Sequence, residues 1–351
     1  MPLSQPGLIQ IAPMPPATTR PVAILGSGMW ATTLAQAIAS RGHDVRMWCR
    51  NPDLARAINQ DHENAAYLPG YRLSERIIAE VSPAACVAAA EVFIVVVASS
   101  KFRSLCQEIA PAVRPDHIGL HFVKGIEERT FKRMSEVLLE ETCVRQFGVL
   151  GGPPQAAEIL QGRPTALVIG TAHPRVHEIA VRLLTTEGTR VYHNDDVIGV
   201  EVGGALSTVL AIGAGIVRGL QLGENANAVL MTRGLQELAR VGRSMGARTT
   251  TFSGVSTIGN LMNAAISAST REVKLGEALA QGRSLYEMTW GSSTAIEGVS
   301  NSVFAWEYSR KHEVIAPLLC SIYSIVHGGR SPVRALRDLM LRQYPLDVDF
   351  G

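Results

Sequence analysis

The first half of the chain alternates between short apolar runs and longer segments in which apolar residues recur every three or four positions. The short runs predict buried strands and the longer segments predict helices, because side chains repeat about every 2 residues in a strand and every 3.6 in a helix. Strands that alternate with helices form a parallel sheet covered on both faces. The predicted strands are residues 22–25, 45–48, 92–97, 118–122, 149–150 and 166–169.

The pattern changes after about Tyr192, where strand-like runs give way to long stretches of Ala, Leu, Ile and Val at helical spacing. We therefore predict an α/β domain over residues 21–195 and an all-helical domain over residues 196–351. The first 20 residues contain five prolines and predict a flexible leader. The uncharged run at residues 202–217 is shorter than the ~20 residues of a membrane span and predicts a buried core helix.

A glycine-rich turn follows the first predicted strand and opens the first predicted helix. Gly26 permits the tight turn, Gly28 lets the backbone approach a pyrophosphate, and the small Ala31 allows close packing of helix on strand. A second strand follows, as a dinucleotide-binding unit requires. The turn therefore predicts binding of NAD or NADP, with contacts from Gly26, Ser27, Gly28, Met29 and Trp30.

The end of the second strand bears on the choice between the two dinucleotides. An NAD-selective site places an acidic residue there, about 20 residues past the first glycine, to bind the ribose hydroxyls. This chain has Arg50 instead. The guanidinium group could pair with the additional phosphate of NADP, or it could be a solvated surface group, and the sequence leaves both interpretations open.

Many ordered stretches between residues 21 and 340 resemble the NAD(P)-dependent glycerol-3-phosphate dehydrogenases of bacteria. They include the glycine-rich turn and residues 64–70, 99–103, 124–127, 162–166, 194–205, 225–226, 232–234 and 297–298. The resemblance implies a Rossmann domain followed by a helical domain like that of 6-phosphogluconate dehydrogenase, with hydride transfer in the cleft between them. It also implies cofactor contacts at Ser99, Phe102 and Glu297, and a homodimer.

The resemblance weakens at the positions that would handle the substrate. Carbonyl reduction needs a proton donor and a positive environment, because negative charge develops on the carbonyl oxygen. The family's principal lysine and the asparagine after it correspond to Ser207 and Thr208 here, and the family's aspartate corresponds to Asn260. Arg271 matches the arginine that holds the substrate phosphate, but the asparagine that follows it in relatives is Glu272.

These replacements leave Lys124, at the end of a predicted strand, as the remaining candidate proton donor, with Ser207 and Asn260 as further catalytic candidates. Thr208, Arg271 and Glu272 are the candidate substrate contacts. An alternative is that Lys124 is an exposed or structural lysine.

Three functions remain open at this point. The first is an oxidoreductase with a divergent substrate or proton donor. The second is a genuine glycerol-3-phosphate dehydrogenase that reduces dihydroxyacetone phosphate. The third is a nonenzymatic sensor or scaffold that binds a dinucleotide.

The composition of the chain argues against several other classes of protein. Hydrophobic residues make up 46% of the 351 residues and charged residues 18%, which excludes disorder of the whole chain. A net charge of +2 argues against a nucleic-acid partner. The five cysteines and nine histidines show no metal-ligand spacing, so no metal is predicted. With no targeting or membrane-spanning signal, we expect a cytoplasmic protein with a small-molecule substrate.

Overall fold

The structure is a computed structural model that describes residues 20–153, 155–290 and 295–341, and these form two lobes. The first lobe is a sheet with helices, and its last strand ends at Asn194. The second lobe is helical and begins at Val197. This confirms the predicted fold class. The predicted leader lies outside the described residues apart from Arg20.

One eight-stranded sheet forms the centre of the first lobe. Its order is β3-β2-β1-β4-β5-β6-β7-β8, and all neighbours are parallel except β6 and β7, which are antiparallel. The predicted parallel sheet is therefore correct for most pairs and wrong for that one. The strands are β1 (Val22–Leu25), β2 (Val45–Trp48), β3 (Ile77–Glu80), β4 (Val92–Val95), β5 (Ile118–His121), β6 (Gln146–Gly151), β7 (Thr165–Gly170) and β8 (Thr189–Asn194).

The central strands are buried because helices cover both faces of the sheet. All four residues of β1, β4 and β5 are buried, as expected of parallel strands in this arrangement. The helices of the first lobe are α1 (Met29–Ser40), α2 (Pro52–Asp61), α3 (Pro83–Ala89), α4 (Ser99–Ile109), α5 (Met134–Glu141), α6 (Ala156–Leu160) and α7 (Pro174–Leu184). The strand order reverses between β1 and β4, which is where such sheets bind ligands beyond their carboxyl ends.

A single long helix, α8 (Val197–Gly219), forms the core of the second lobe. Its amino terminus is capped by Asp196, which accepts a hydrogen bond from the Gly199 amide, and every residue from Gly199 to Val217 is buried. In the described part of the chain it is the one helix long and apolar enough to cross a membrane by length and composition, but it is enclosed by protein. This confirms the predicted core helix.

The other helices of the second lobe surround α8. They are α9 (Gly223–Ser244), α10 (Asn260–Ile266), α11 (Arg271–Ala280), α12 (Leu285–Thr289), α13 (Glu297–Lys311), α14 (Pro317–Val326) and α15 (Pro332–Met340). Glycines bring α11 into direct backbone contact with α8: a Cβ atom on Gly215 would lie 2.0 Å from the Val273 carbonyl oxygen, and one on Gly276 would lie 2.0 Å from that of Ile212. This contact fixes the start of α11, which carries Arg271 and Glu272.

Candidate active site

The glycine-rich turn joins β1 to α1 at the point where the strand order reverses. Gly26 has a φ of +144°, and a Cβ atom there would lie 2.2 Å from the Val96 carbonyl oxygen, so only glycine fits. Gly28 is the residue before the first turn of α1, no side chain caps that turn, and nothing lies within 4 Å of its Cβ position. The space beside Gly28 at the start of α1 is therefore open within the described residues, which suits the pyrophosphate of a dinucleotide.

A buried asparagine that the motif alone did not single out holds the turn in place. The Asn64 amide donates to the Ser27 carbonyl oxygen at 2.9 Å and to the Thr32 hydroxyl at 2.8 Å, and the residue is fully buried. It lies in one of the stretches that carried the family resemblance. Its position explains that stretch, because it fixes the carbonyl group next to Gly28.

The remaining predicted cofactor residues differ in where they lie. Met29 is 46% exposed beside the turn, and the Trp30 ring packs on the Phe122 ring at 4.5 Å. Arg50 is exposed just beyond β2, where a ribose or its phosphate would lie. Phe102 is 0% exposed and packs edge-on against His121 inside the core. Its side chain therefore has no exposed surface in this structure, and the contact of Phe102 with the cofactor stays a prediction.

Ser99 and Glu297 meet across the cleft between the lobes. The Glu297 carboxylate accepts hydrogen bonds from the Ser99 amide at 2.9 Å and from its hydroxyl at 2.6 Å. The contact needs Gly125, because a Cβ atom there would lie 2.3 Å from that of Ser99. Burial raises the pKa of the Glu297 carboxyl, while the two hydrogen bonds from Ser99 act in the opposite direction. The start of α4 is thereby attached to the start of α13.

Lys124 lies where the loop after β5 meets both lobes. Its Nζ atom donates to the Gly152 carbonyl oxygen at 3.0 Å in the first lobe and to Asn260 Oδ1 at 2.8 Å in the second. Burial lowers the pKa of Lys124 to about 8, against the influence of the nearby Glu272 carboxylate. An amine with this pKa can both hold and release a proton near neutral pH.

The amide of Asn260 is oriented by its own backbone contact. Its Nδ2 atom donates to the Ser256 carbonyl oxygen at 2.6 Å, so Oδ1 points to the lysine. The two bonds that Lys124 makes use two of its three hydrogens. Within the described part of the chain, one N–H therefore remains for a substrate oxygen.

Ser207 and Thr208 lie on the buried stretch of α8. The Ser207 hydroxyl donates to the Gly204 carbonyl oxygen of its own helix at 2.8 Å, and Thr208 likewise donates to Ala205. Ser207 is only 3% exposed. Its hydroxyl hydrogen is thus used within the helix, and it holds no charge that could replace a lysine.

Asn301, on α13, connects the loop that carries Lys124 to helix α8. This residue was not predicted from the sequence. Its Oδ1 atom accepts from the Ile126 amide, and its Nδ2 atom contacts the Lys124 carbonyl oxygen at 2.8 Å and the Thr208 hydroxyl at 3.0 Å. The residue is fully buried. It therefore fixes the backbone of Lys124 relative to Thr208.

A second buried contact between the lobes centres on Glu201 of α8. Its carboxylate lies 2.8 Å from an Arg133 nitrogen and 3.2 Å from His121 Nε2, and it accepts from the Ser135 amide and hydroxyl. Burial alone would raise the pKa of Glu201, but His121 and Arg133 with the Ser135 hydrogen bonds outweigh it and hold the pKa below its usual value. The carboxylate is therefore charged and joins α8 to the first lobe.

Arg271 and Glu272 lie at the amino terminus of α11. Arg271 is exposed and lies 3.5 Å from the Ala295 carbonyl oxygen. Glu272 is partly buried and is close enough to Lys124 for their charges to interact. The structure thus brings Lys124, Asn260 and Glu272 together, with Ser207 and Thr208 on the adjoining helix.

Fold and site together define a two-lobed dehydrogenase that uses a nicotinamide dinucleotide. The sheet has the Rossmann order over its first six strands, the pyrophosphate turn is open, and an amine with a lowered pKa lies in the cleft. The chain belongs to the NAD-dependent glycerol-3-phosphate dehydrogenase family, since the models of that family's N-terminal and C-terminal parts match residues 21–177 and 196–337.

Individual relatives agree with this assignment. The chain is 37% identical over 331 residues to the glycerol-3-phosphate dehydrogenase (NAD(P)+) of Bacillus cytotoxicus, covering 93% of this chain and 97% of the relative. It is 35% identical over 328 residues to that of Levilactobacillus brevis, covering 92% and 97%. The solved glycerol-3-phosphate dehydrogenase of Coxiella burnetii matches with a TM-score of 0.87 at 31% identity, covering 92% of this chain and 99% of that one.

The pairing of Lys124 with a neutral amide leads to a prediction about pH. Asn260→Asp places a carboxylate where Oδ1 now lies, 2.8 Å from Nζ, and should raise the pKa of Lys124 by about 1–3 units. The alkaline limb of carbonyl reduction, where the lysine loses its proton, should move to higher pH by that amount. The pH profile of kcat/KM measures it, with Asn225→Asp on the exposed surface of α9 as the control. An unmoved limb would show that another group controls it.

Proposed function

We propose that the chain transfers hydride between a nicotinamide dinucleotide and a small hydroxy or carbonyl compound, with a substrate or proton donor that differs from that of its relatives. The observation that carries this proposal is the Lys124 ammonium group, held between Gly152 and Asn260 with its pKa lowered to about 8. It is a proton donor at the junction of the two lobes.

Different residues of the chain would bind the coenzyme and transfer the proton. The turn at Gly26 and Gly28, with Ser27 held by Asn64, would hold the pyrophosphate, and the dinucleotide would supply or accept the hydride. Ser99 and Glu297 would line the cofactor side of the cleft. Lys124 would donate a proton to the substrate oxygen during reduction and accept one during oxidation. Asn260 orients that lysine without adding a charge.

The coenzyme could be NAD or NADP. The exposed Arg50 lies where a 2′-phosphate would be bound, which supports NADP, but an arginine free in solvent at that position would permit NAD as well. Titration with both reduced coenzymes distinguishes the two.

Reduction of dihydroxyacetone phosphate is the second candidate. It is supported by the names of the relatives and by Arg271, which lies at the start of α11 where the family holds the substrate phosphate. Against it stands the carboxylate of Glu272 at the next position.

The proposed function is tested in two steps with the purified protein. Binding of NADH and NADPH is followed by coenzyme fluorescence, and ketones and aldehydes are then added while absorbance at the reduced coenzyme's wavelength is recorded. We expect binding of at least one coenzyme and its oxidation with a small carbonyl compound. Tight binding with no oxidation across the panel would contradict an enzymatic role and favour a sensor.

The location and the oligomeric state of the protein are inferred from the same family resemblance. We propose that the protein acts in the cytoplasm as a homodimer formed through its helical lobe, where Val229, Met262 and Ile266 are exposed on α9 and α10. A monomeric mass in solution at assay concentration would contradict the dimer.

A further inference from the structure

The carboxylate of Glu272 lies where the amino termini of two helices converge. It belongs to the first turn of α11, and its side chain packs against Gly298, the second residue of α13, whose backbone amide helps to favour the charged form and so lowers the pKa of Glu272. The contact is close, since a Cβ atom on Gly298 would lie 3.1 Å from the Cγ atom of Glu272. Helix amino termini attract anions through their free amides and their dipoles. In this protein the anion at the two helix amino termini is the carboxylate of Glu272 itself.

Charged groups from each neighbouring element act on this carboxylate. Lys124, on the loop after β5, and Arg271, on α11, favour its charged form, whereas Glu297 on α13 repels it. Burial raises the pKa of Glu272 against the attraction of the two cations. Two cations and two carboxylates thus face one another, and Asn260 contributes no charge. A phosphate dianion would meet no surplus of positive charge there.

From this arrangement we propose that Glu272 occupies with its own carboxylate the position that an acidic group of a substrate would take. The site would therefore select a hydroxy or carbonyl compound whose end facing α11 is neutral or positively charged, and would discriminate against a phosphorylated one. This specificity rests on the proposed function, because it concerns the substrate of the same reaction.

Glu272→Gln tests this directly. Glutamine has the same shape as glutamate and no charge, so the contact of the side chain with Gly298, and with it the packing of α11 on α13, is preserved. Wild-type protein and variant are compared by kcat/KM for dihydroxyacetone phosphate, dihydroxyacetone and the cationic ketone aminoacetone. Glu277→Gln, on the same helix but paired with Arg218 at the surface, is the matched control.

The wild-type protein should prefer the neutral or cationic ketone to the phosphorylated one. Removal of a negative charge close to the bound phosphate should shift the ratio toward dihydroxyacetone phosphate by about tenfold or more in Glu272→Gln, and the control should not shift it. A wild-type preference for the phosphorylated ketone, or an unchanged ratio in Glu272→Gln, would overturn the inference.

A binding measurement separates this inference from the proposed function. The affinity of glycerol 3-phosphate is measured by calorimetry with saturating reduced coenzyme and also without coenzyme, so that neither turnover nor coenzyme binding is needed. Tighter binding by Glu272→Gln than by wild type supports the role of Glu272 even if no ketone is reduced. Equal affinities overturn it, even if coenzyme binding and turnover confirm the proposed function.

Discussion

Replacing Lys124 with methionine is expected to lower kcat for carbonyl reduction by about 10²- to 10⁴-fold, the usual contribution of a positioned acid–base group. Methionine fills a similar volume but has no proton to give, and the contacts to Gly152 and Asn260 are lost. The dissociation constant of the reduced coenzyme should change little, because the glycine-rich turn is untouched. Steady-state kinetics and fluorescence titration measure the two quantities.

The pH profile distinguishes a catalytic lysine from a structural one. With a lysine pKa of about 8, wild-type reduction should decline as the pH rises above that value, because the donor loses its proton. Lys124→Met should lose this limb together with the rate. Lys274→Met, at an exposed position on α11, is the control. A Lys124→Met protein that keeps the wild-type kcat and pH profile would remove the lysine from the mechanism.

Replacing Glu201 with glutamine is expected to reduce the free energy of unfolding by about 3–5 kcal/mol, since it removes the buried carboxylate that pairs with the partly buried Arg133 and lies beside the buried His121. The desolvation of the Arg133 guanidinium group is then no longer compensated by the charge of Glu201. Chemical denaturation followed by circular dichroism measures the loss, with Glu128→Gln at an exposed position as the control.

The two results for Glu201 have different meanings. A large loss with an unchanged denaturant slope would show that the charge stabilises the contact between the lobes. A loss no greater than that of Glu128→Gln would show that solvent reaches the cluster and replaces the missing charge.

The sequence predicted those parts of the fold that depend on local pattern. The strands β1 and β2 were predicted with their observed bounds, because they are apolar runs that end at turns. β3 and β8 were missed because they lie toward the ends of the sheet and expose alternate or polar side chains, so no apolar run marks them. The antiparallel pairing of β6 and β7 was missed because parallel and antiparallel neighbours differ in the direction of the second strand. That direction leaves no trace in the hydrophobic pattern of either strand.

The site was predictable only where one segment carries it. Gly26 and Gly28 predict the turn because the first permits a tight backbone bend and the second permits close approach of a pyrophosphate. The contacts of Asn301 and Glu201 could not be predicted from the local sequence, since their partners lie 175 and 66 residues away along the chain. The burial of Phe102 was predictable from the sequence, because with Leu105, Cys106 and Ile109 it forms the buried stripe of α4, which is a helical core pattern.

The contacts made by Asn301 and Glu201 also limit how this protein can be recombined. The Rossmann order makes the first lobe look like an exchangeable module, yet Arg133 and His121 in that lobe depend on a carboxylate supplied by the second, and the Lys124 loop depends on an amide from α13. A grafted coenzyme-binding lobe that lacked Arg133, His121 or the backbone position of Lys124 would leave the carboxylate of Glu201 and the amide of Asn301 without these partners. We therefore expect that one half of this chain can be exchanged without loss of stability only if the residues on both sides of these buried contacts are exchanged with it.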